Sequence, residues 1–215
     1  MSKAYFITGI DTDAGKTYAT AFLAQRLMDE GKSVITQKFI QTGCDDASED
    51  ILKHRELLGS DLLPVDIDHT TAPVIFHHPC SPQLAARIDG REIDLSAIDS
   101  ATQKLLTLYD VVLIEGAGGL MVPISDEFLT ADYIASRNLP AIVVTNGKLG
   151  SINHTILTLE AISRRNITLA AVVYNTHFDT DPQIADDTRH FIERYLARHH
   201  PDTQYLIMEQ TAKAR

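Results

Sequence analysis

The 215-residue chain carries 19 Lys and Arg against 29 Asp and Glu, a formal charge of −10, with the basic residues scattered along its length. That balance excludes the concentrated cationic face a nucleic-acid partner requires, and no apolar run approaches the roughly 18 residues of a membrane span. The length matches one domain over residues 1–215 better than two small ones. Cys44 and Cys80 form no CxxC pair, and the first fifteen residues lack the apolar stretch and cleavage site of a secretory signal, so a reduced, cytoplasmic protein is expected.

The first predicted strand, Ala4 to Thr8, empties into Gly9-Ile10-Asp11-Thr12-Asp13-Ala14-Gly15-Lys16-Thr17. A glycine beside a lysine lets backbone N–H groups close on phosphate oxygens. Lys16 can reach the β and γ phosphates, and the Thr17 hydroxyl can ligand Mg²⁺ at a helix N-terminus. Five residues separate Gly9 from Gly15 where the usual phosphate loop has four. Context carries the reading instead: a strand precedes the loop, and Ala19, Phe22, Leu23, Leu27 and Met28 follow at helical spacing up to a stop at Gly31. A tight strand-to-helix turn without a ligand has no need of Lys and Thr together.

A helix over Lys16 to Glu30 and a strand over Ser33 to Lys38 come next. Lys38 closes that strand and is followed by Gln41-Thr42-Gly43, rich in neutral hydrogen-bonding groups. It reads equally as a solvated strand-end lysine or as a cation stabilising a transferring phosphoryl or an acyl phosphate. In the helix Glu49 to Leu58, Asp50 reads as a third metal carboxylate or as a first-turn acid favoured by the helix dipole.

Helices over Ser81 to Ile88 and Leu95 to Leu108 lead to the strand Val111 to Glu115 and then Gly116-Ala117-Gly118-Gly119. Alone, Glu115 is a solvated strand-end carboxylate; beside the Gly-Lys-Thr loop it is placed to hold Mg²⁺ opposite Thr17. A helix over Thr130 to Ser136 and a strand over Ala141 to Thr145 precede the turn Lys148-Leu149-Gly150-Ser151-Ile152-Asn153-His154. There Ser151 is the expected cap of a helix to Arg165, whose free N–H groups favour an anion such as a carboxylate. The strand Leu169 to Tyr174 ends at Asn175, whose amide suits a nucleobase edge or a buried turn cap. The last predicted helix is Asp181 to His199. His77-His78 and His199-His200 have no metal-site spacing and read as surface or packing residues. Alternation of strands with helices predicts an α/β fold, a mostly parallel central sheet with helices on both faces and ligands beyond the carboxyl ends of the strands.

Taken together, Gly9 to Thr17, Lys38 with Gln41-Thr42-Gly43, Glu115 to Gly119 leading to Val122-Pro123, and Lys148 to His154 resemble the dethiobiotin synthetases, from about Met1 to Asn175. The resemblance implies a P-loop NTPase fold and ATP- and Mg²⁺-dependent carboxylation and ring closure of 7,8-diaminopelargonic acid with CO₂ or bicarbonate. It also implies a homodimer whose active sites lie at the interface. Lys16, Lys38 and Thr12 are then the catalytic set, and Thr17, Asp50 and Glu115 hold Mg²⁺. Asp13, Ala14, Gly15, Lys16, Thr17, Tyr18, Glu115, Gly116, Ala117 and Gly118 surround the nucleotide, and Asn175 reads the adenine. Thr42 touches the substrate, and Gly150, Ser151 and Asn153 of the neighbouring subunit receive its carboxylate.

Ile10 stands where the family has Thr, and Phe39 where Pro follows the active lysine. The family's Gly- and Pro-containing loop over the adenine is replaced by Tyr205 to Gln210 and a short tail, which predicts looser choice among triphosphates. The alternative is a regulatory ATPase of the partitioning or division-site type, which shares the deviant loop but carries a signature lysine where this chain has Asp11.

Overall fold

The computed structural model describes residues 3–209. In chain order these fold as β1 (Lys3–Gly9), α1 (Lys16–Asp29), β2 (Val34–Lys38), β3 (Gln41–Thr42), α2 (Glu49–Leu57), α3 (Pro64–Ile67), β4 (Ile75–Phe76), α4 (Pro82–Ile88), α5 (Leu95–Leu108), β5 (Val111–Gly119), α6 (Thr130–Ser136), β6 (Ala141–Asn146), α7 (Ser151–Arg164), β7 (Leu169–Asn175), a 3₁₀ turn (Thr176–Phe178), α8 (Pro182–His199) and β8 (Gln204–Met208). Six strands pair in parallel in the order β2-β5-β1-β6-β7-β8, and β3 with β4 makes a separate two-stranded ribbon.

Successive residues of a strand face opposite sides of the sheet, and the core divides accordingly. Phe6, Val112, Ile114, Val143 and Val172 belong to one buried cluster, while Ile7, Val111, Leu113, Val144 and Val173 belong to the other. Both faces are therefore covered, which is why these strands read as continuous apolar runs. β1 lies between β5 and β6, neither its neighbour in sequence, so the crevice at the switch in strand order opens at its carboxyl end. The loop from Gly9 to Lys16 leaves the sheet there.

The predicted elements recur within a residue or two of their expected ends, with three corrections. β5 does not stop at Glu115 but continues through the glycines to Gly119. Its pairing with β1 slips after Ile7↔Glu115, so that Gly9 faces Gly119. Ser151 is not the cap of its helix: Gly150, in the left-handed region at φ 97°, takes that place and Ser151 is the first helical residue. Tyr205 to Met208 belong to an eighth strand at the sheet edge, a partly buried segment paired with β7; Gln210 and the residues after it lie outside those described. Among the described residues no helix is long and apolar enough to cross a membrane.

Candidate active site

The turn from β1 into α1 requires glycine where it bends most sharply. Gly15 sits at φ 90°, and a Cβ placed on it would fall 2.2 Å from the Asn175 amide nitrogen. That nitrogen donates to the Ala14 carbonyl at 3.2 Å, while the Asn175 side-chain oxygen accepts from the His177 backbone N–H at 3.0 Å. Asn175 thus fastens the phosphate loop to the end of β7 and caps the 3₁₀ turn, the role of a buried turn-capping residue. Gly15→Ala combines a left-handed backbone with loss of this tie. It is expected to cost about 2–3 kcal/mol of stability and at least about tenfold in ATP affinity, read by thermal melting and calorimetric titration.

Lys16 is the first residue of α1 and is buried. Its Nζ donates to the Asp11 and Thr12 carbonyls at 3.2 and 3.0 Å, curling the side chain over the loop. Burial, and then the nearby charge of Lys38, bring its pKa down to about 8. An incoming phosphate would supply the anionic partner that the two carbonyls only approximate. Thr12 is held by its own backbone, whose N–H donates to Asp11 Oδ1 at 2.7 Å, and its hydroxyl lies within 4 Å of where a Cβ on Gly118 would stand, so the two residues share one surround. Asp13 is exposed and its carboxylate acts on Lys16 through its charge; the Tyr18 ring is half exposed and receives the Lys53 ammonium at 5.8 Å.

The four residues expected to meet at the loop do meet. The Thr17 hydroxyl lies 2.9 Å from Asp50 Oδ1 and 3.1 Å from Glu115 Oε1. Lys38 Nζ lies between the same two carboxylates, 2.5 Å from Asp50 Oδ2 and 2.9 Å from Glu115 Oε1, and reaches the Gly116 carbonyl at 3.3 Å. Burial works to lower the Lys38 pKa, but Glu115 and Asp50 outweigh it and hold the ammonium above the ordinary lysine value. Burial likewise works to raise Glu115, and Lys38 with His54 holds it well below the usual carboxylate range. The strand-end lysine is therefore a buried bridge between two carboxylates, not a solvated group.

Two carboxylates and a hydroxyl form an all-oxygen donor set. Mg²⁺ suits it, because that ion keeps several waters and takes only one or two protein carboxylates beside substrate phosphates. Among the described residues no group of three or more His, Cys, Asp or Glu side chains forms a closed metal cage, and the open set here does not need one.

Asp50 is aimed by its helix. The Ser48 hydroxyl accepts from the Ile51 backbone N–H at 3.2 Å to cap α2 and donates to Gln41 Oε1 at 2.6 Å. The cap thereby ties α2 to β3, which carries Thr42. Sequence reasoning missed one member of this cluster, His54, fully buried with Nε2 2.7 Å from Glu115 Oε2. Its position four residues after Asp50, on the same helical face, was the available signal. His77 and His78 lie exposed beside Asp89, and His199 and His200 at the surface end of α8.

The turn before α7 stands apart from this cluster. Ser151 Oγ donates within its own turn, to Asn146 Oδ1 at 2.7 Å and the Lys148 carbonyl at 2.5 Å. Gly150 and Asn153 are exposed, and Leu149 is 89% exposed. No hydrogen bond or ion pair among the described residues joins this turn to Thr42, Lys38 or Asp50.

A family described as an AAA domain matches residues 3–200. The chain is 48% identical to the ATP-dependent dethiobiotin synthetase BioD 2 of Pasteurella multocida over 209 residues, covering 97% of this chain and 98% of that one. It is 49% identical to the enzyme of the same name from Haemophilus ducreyi, over 98% and 100% of the two chains. Among solved structures, pNOB8 ParA bound to nonspecific DNA superposes with a TM-score of 0.58 at 17% identity, covering 99% of this chain and 86% of that one, a likeness of fold.

Proposed function

The chain belongs to the family of ATP-dependent dethiobiotin synthetases, and from that membership we propose that it closes the ureido ring of dethiobiotin from 7,8-diaminopelargonic acid, CO₂ and ATP, releasing ADP and phosphate. It is a ligase of biotin synthesis that takes ATP as co-substrate, acting as one domain over residues 1–215, in the cytoplasm, without nucleic acid or membrane.

The reaction divides into three steps. One amine of the substrate attacks CO₂ and loses a proton to give a carbamate. A carbamate oxygen attacks the γ-phosphorus of ATP, the bond to the β-γ bridging oxygen breaks, and ADP leaves behind a carbamic-phosphoric anhydride. The second amine attacks the carbonyl carbon, the bond to phosphate breaks, and the amine proton is lost as the ring closes. No side-chain nucleophile is needed; every step concentrates negative charge, and stabilising that charge at fixed positions is the main demand on the protein.

The chain's residues fit that demand. Backbone N–H groups from Asp13 to Tyr18 and Gly116 to Gly118 line the phosphates, Lys16 follows the γ-phosphoryl, and Lys38 lies where the carbamate would accept it. Thr12 and Thr42 flank the substrate, and Asn175 borders the base. Mg²⁺, held by Thr17, Asp50 and Glu115, would neutralise charge between phosphate oxygens. The observation that carries the reading is Lys38 buried between Asp50 and Glu115 beside the loop. A partitioning-type switch needs its signature lysine in the loop itself, where this chain has Asp11. Phosphate release from ATP is therefore expected to rise sharply when the diamine is added to enzyme, Mg²⁺ and bicarbonate; turnover indifferent to the diamine would favour the switch.

The turn from Gly150 to Asn153, whose Gly150 and Asn153 are exposed, supports a homodimer in which it completes the partner's site by receiving the substrate carboxylate. Two variants inactive alone, Lys38→Gln and Asn153→Glu, then complement when unfolded and refolded together. Half the dimers are mixed and each carries one intact site, so about a quarter of wild-type activity returns. Sites contained within one protomer would return none.

A further inference from the structure

The side chain of Glu115 is held from both ends. Oε1 faces the phosphate loop, with Thr17 and Lys38 upon it, while Oε2 turns the other way and meets His54 Nε2 at 2.7 Å. A carboxylate that buried needs every hydrogen bond the protein can offer it, and the one at Oε2 also decides which way the carboxyl plane lies. An ionised carboxylate only accepts, so the proton of this contact resides on Nε2. The other ring nitrogen, Nδ1, has no hydrogen-bond partner among the described residues although the ring is fully buried. A histidine that serves only to fill the core leaves no reason to commit one nitrogen to a carboxylate at 2.7 Å and none to the other.

We propose that His54 is a positioning residue: its Nε2–H pins Glu115 Oε2 so that Oε1 is presented to the Mg²⁺ of the bound nucleotide. The inference rests on the reading of Glu115 as a metal carboxylate. α2 then supplies both sides of the arrangement from one face, Asp50 from its first turn and His54 one turn on. Outer-shell hydrogen bonds of this kind typically change metal affinity or activity by about 10–100-fold when removed.

The asymmetry of the two nitrogens gives the test. A glutamine amide reaches about as far as Nε2, and an asparagine amide only as far as Nδ1; both are polar and smaller than the ring. ADP binding is titrated by calorimetry over a Mg²⁺ series in the wild-type protein, His54→Gln and His54→Asn. The Asn variant is expected to need about 10–100-fold more Mg²⁺ for half of the metal-dependent gain in affinity, and the Gln variant within about threefold of wild type. Equal Mg²⁺ dependence in the wild type and the Asn variant, or equal damage in the Gln and Asn variants, would overturn the proposal. Should the Asn variant fail to fold, nitrogen NMR of wild-type His54 decides. Its Nε2 resonance shifts when Mg²⁺ is added to the ADP complex if the ring is coupled to the site, and stays unmoved if it only packs. Glu115→Gln separates the two readings. If that variant keeps the wild-type Mg²⁺ dependence, the metal role of Glu115 fails; if it loses it while both His54 variants do not, only the positioning role fails.

Discussion

Lys38→Gln is expected to lower turnover by about 10²–10³-fold while changing ATP affinity less than about threefold. The lysine sits 5% exposed between Asp50 and Glu115, where burial weakens solvent screening and strengthens its charge on an anion beside it. If the carbamate and the anhydride form beside Lys38 while the loop grips the triphosphate, as proposed, the loss falls on the chemical step. A second effect comes from the same geometry. Removing the ammonium leaves the buried Glu115 carboxylate without its ion-pair partner and beside the partly exposed Asp50, a change worth about 3–5 kcal/mol when one partner of a buried pair is deleted. The ligand-free variant should melt at a lower temperature, and Mg²⁺ should recover part of that loss by taking the cation's place between the carboxylates. Steady-state kinetics at saturating ATP and melting curves with and without Mg²⁺ read both effects. Turnover within twofold of wild type would remove Lys38 from the chemistry.

Lys16→Met is expected to show the opposite signature, a loss of ATP affinity of at least about 100-fold with turnover following it down. Charge-assisted hydrogen bonds contribute about 1.5–3 kcal/mol each, and two to phosphate oxygens account for a loss of that size. In the ligand-free protein Lys16 is already drawn over the loop by the Asp11 and Thr12 carbonyls, so binding costs little reorganisation of its side chain. Burial and the neighbouring Lys38 charge bring its pKa down to about 8, so an anion seated in the loop would favour the charged form. An affinity within about tenfold of wild type, measured by calorimetry, would contradict this role.

What could be read from the residues depended on how local their chemistry is. β1, β5, β6 and β7 each carry an apolar run, such as Val111 to Ile114 and Ala141 to Val144, because both faces of the sheet are covered, and such runs are visible without knowing the partners. The Gly-Lys-Thr loop is likewise a local pattern, and it places Lys16 and Thr17 without help from the rest of the chain. β8 escaped although Tyr205 to Met208 is apolar, because so short a run can be helix, strand or loop until it pairs with β7. The two-residue β3 and β4 exist only as each other's partners.

Site residues divide in the same way. Glu115 and Lys38 were visible as strand-end polar groups after apolar runs, although Glu115 proved to lie within its strand, whose glycines extend the pairing instead of ending it. The contact of Lys38 with both carboxylates is a matter of the β2–β5 register, which sets Lys38 opposite Glu115 and is not written in either strand alone. Ser151 was misplaced by one residue because Gly150 can adopt the left-handed cap that a serine avoids. His54 was missed since its importance lies in a contact across 61 residues of sequence, and a histidine in a polar helix looks like any surface residue until the helix is docked.

The account stands on ring closure, and the most direct measurement follows the carbon atom. Labelled bicarbonate is supplied with ATP, Mg²⁺ and 7,8-diaminopelargonate, and the label retained after acid is counted beside phosphate released. Free carbamates lose their CO₂ in acid, whereas a ureido carbon is kept. Acid-stable label and phosphate are expected in a one-to-one ratio, both requiring the diamine and both lowered together, by the same factor, in Lys38→Gln. Phosphate released without stable label, at a rate the diamine does not change, would contradict it.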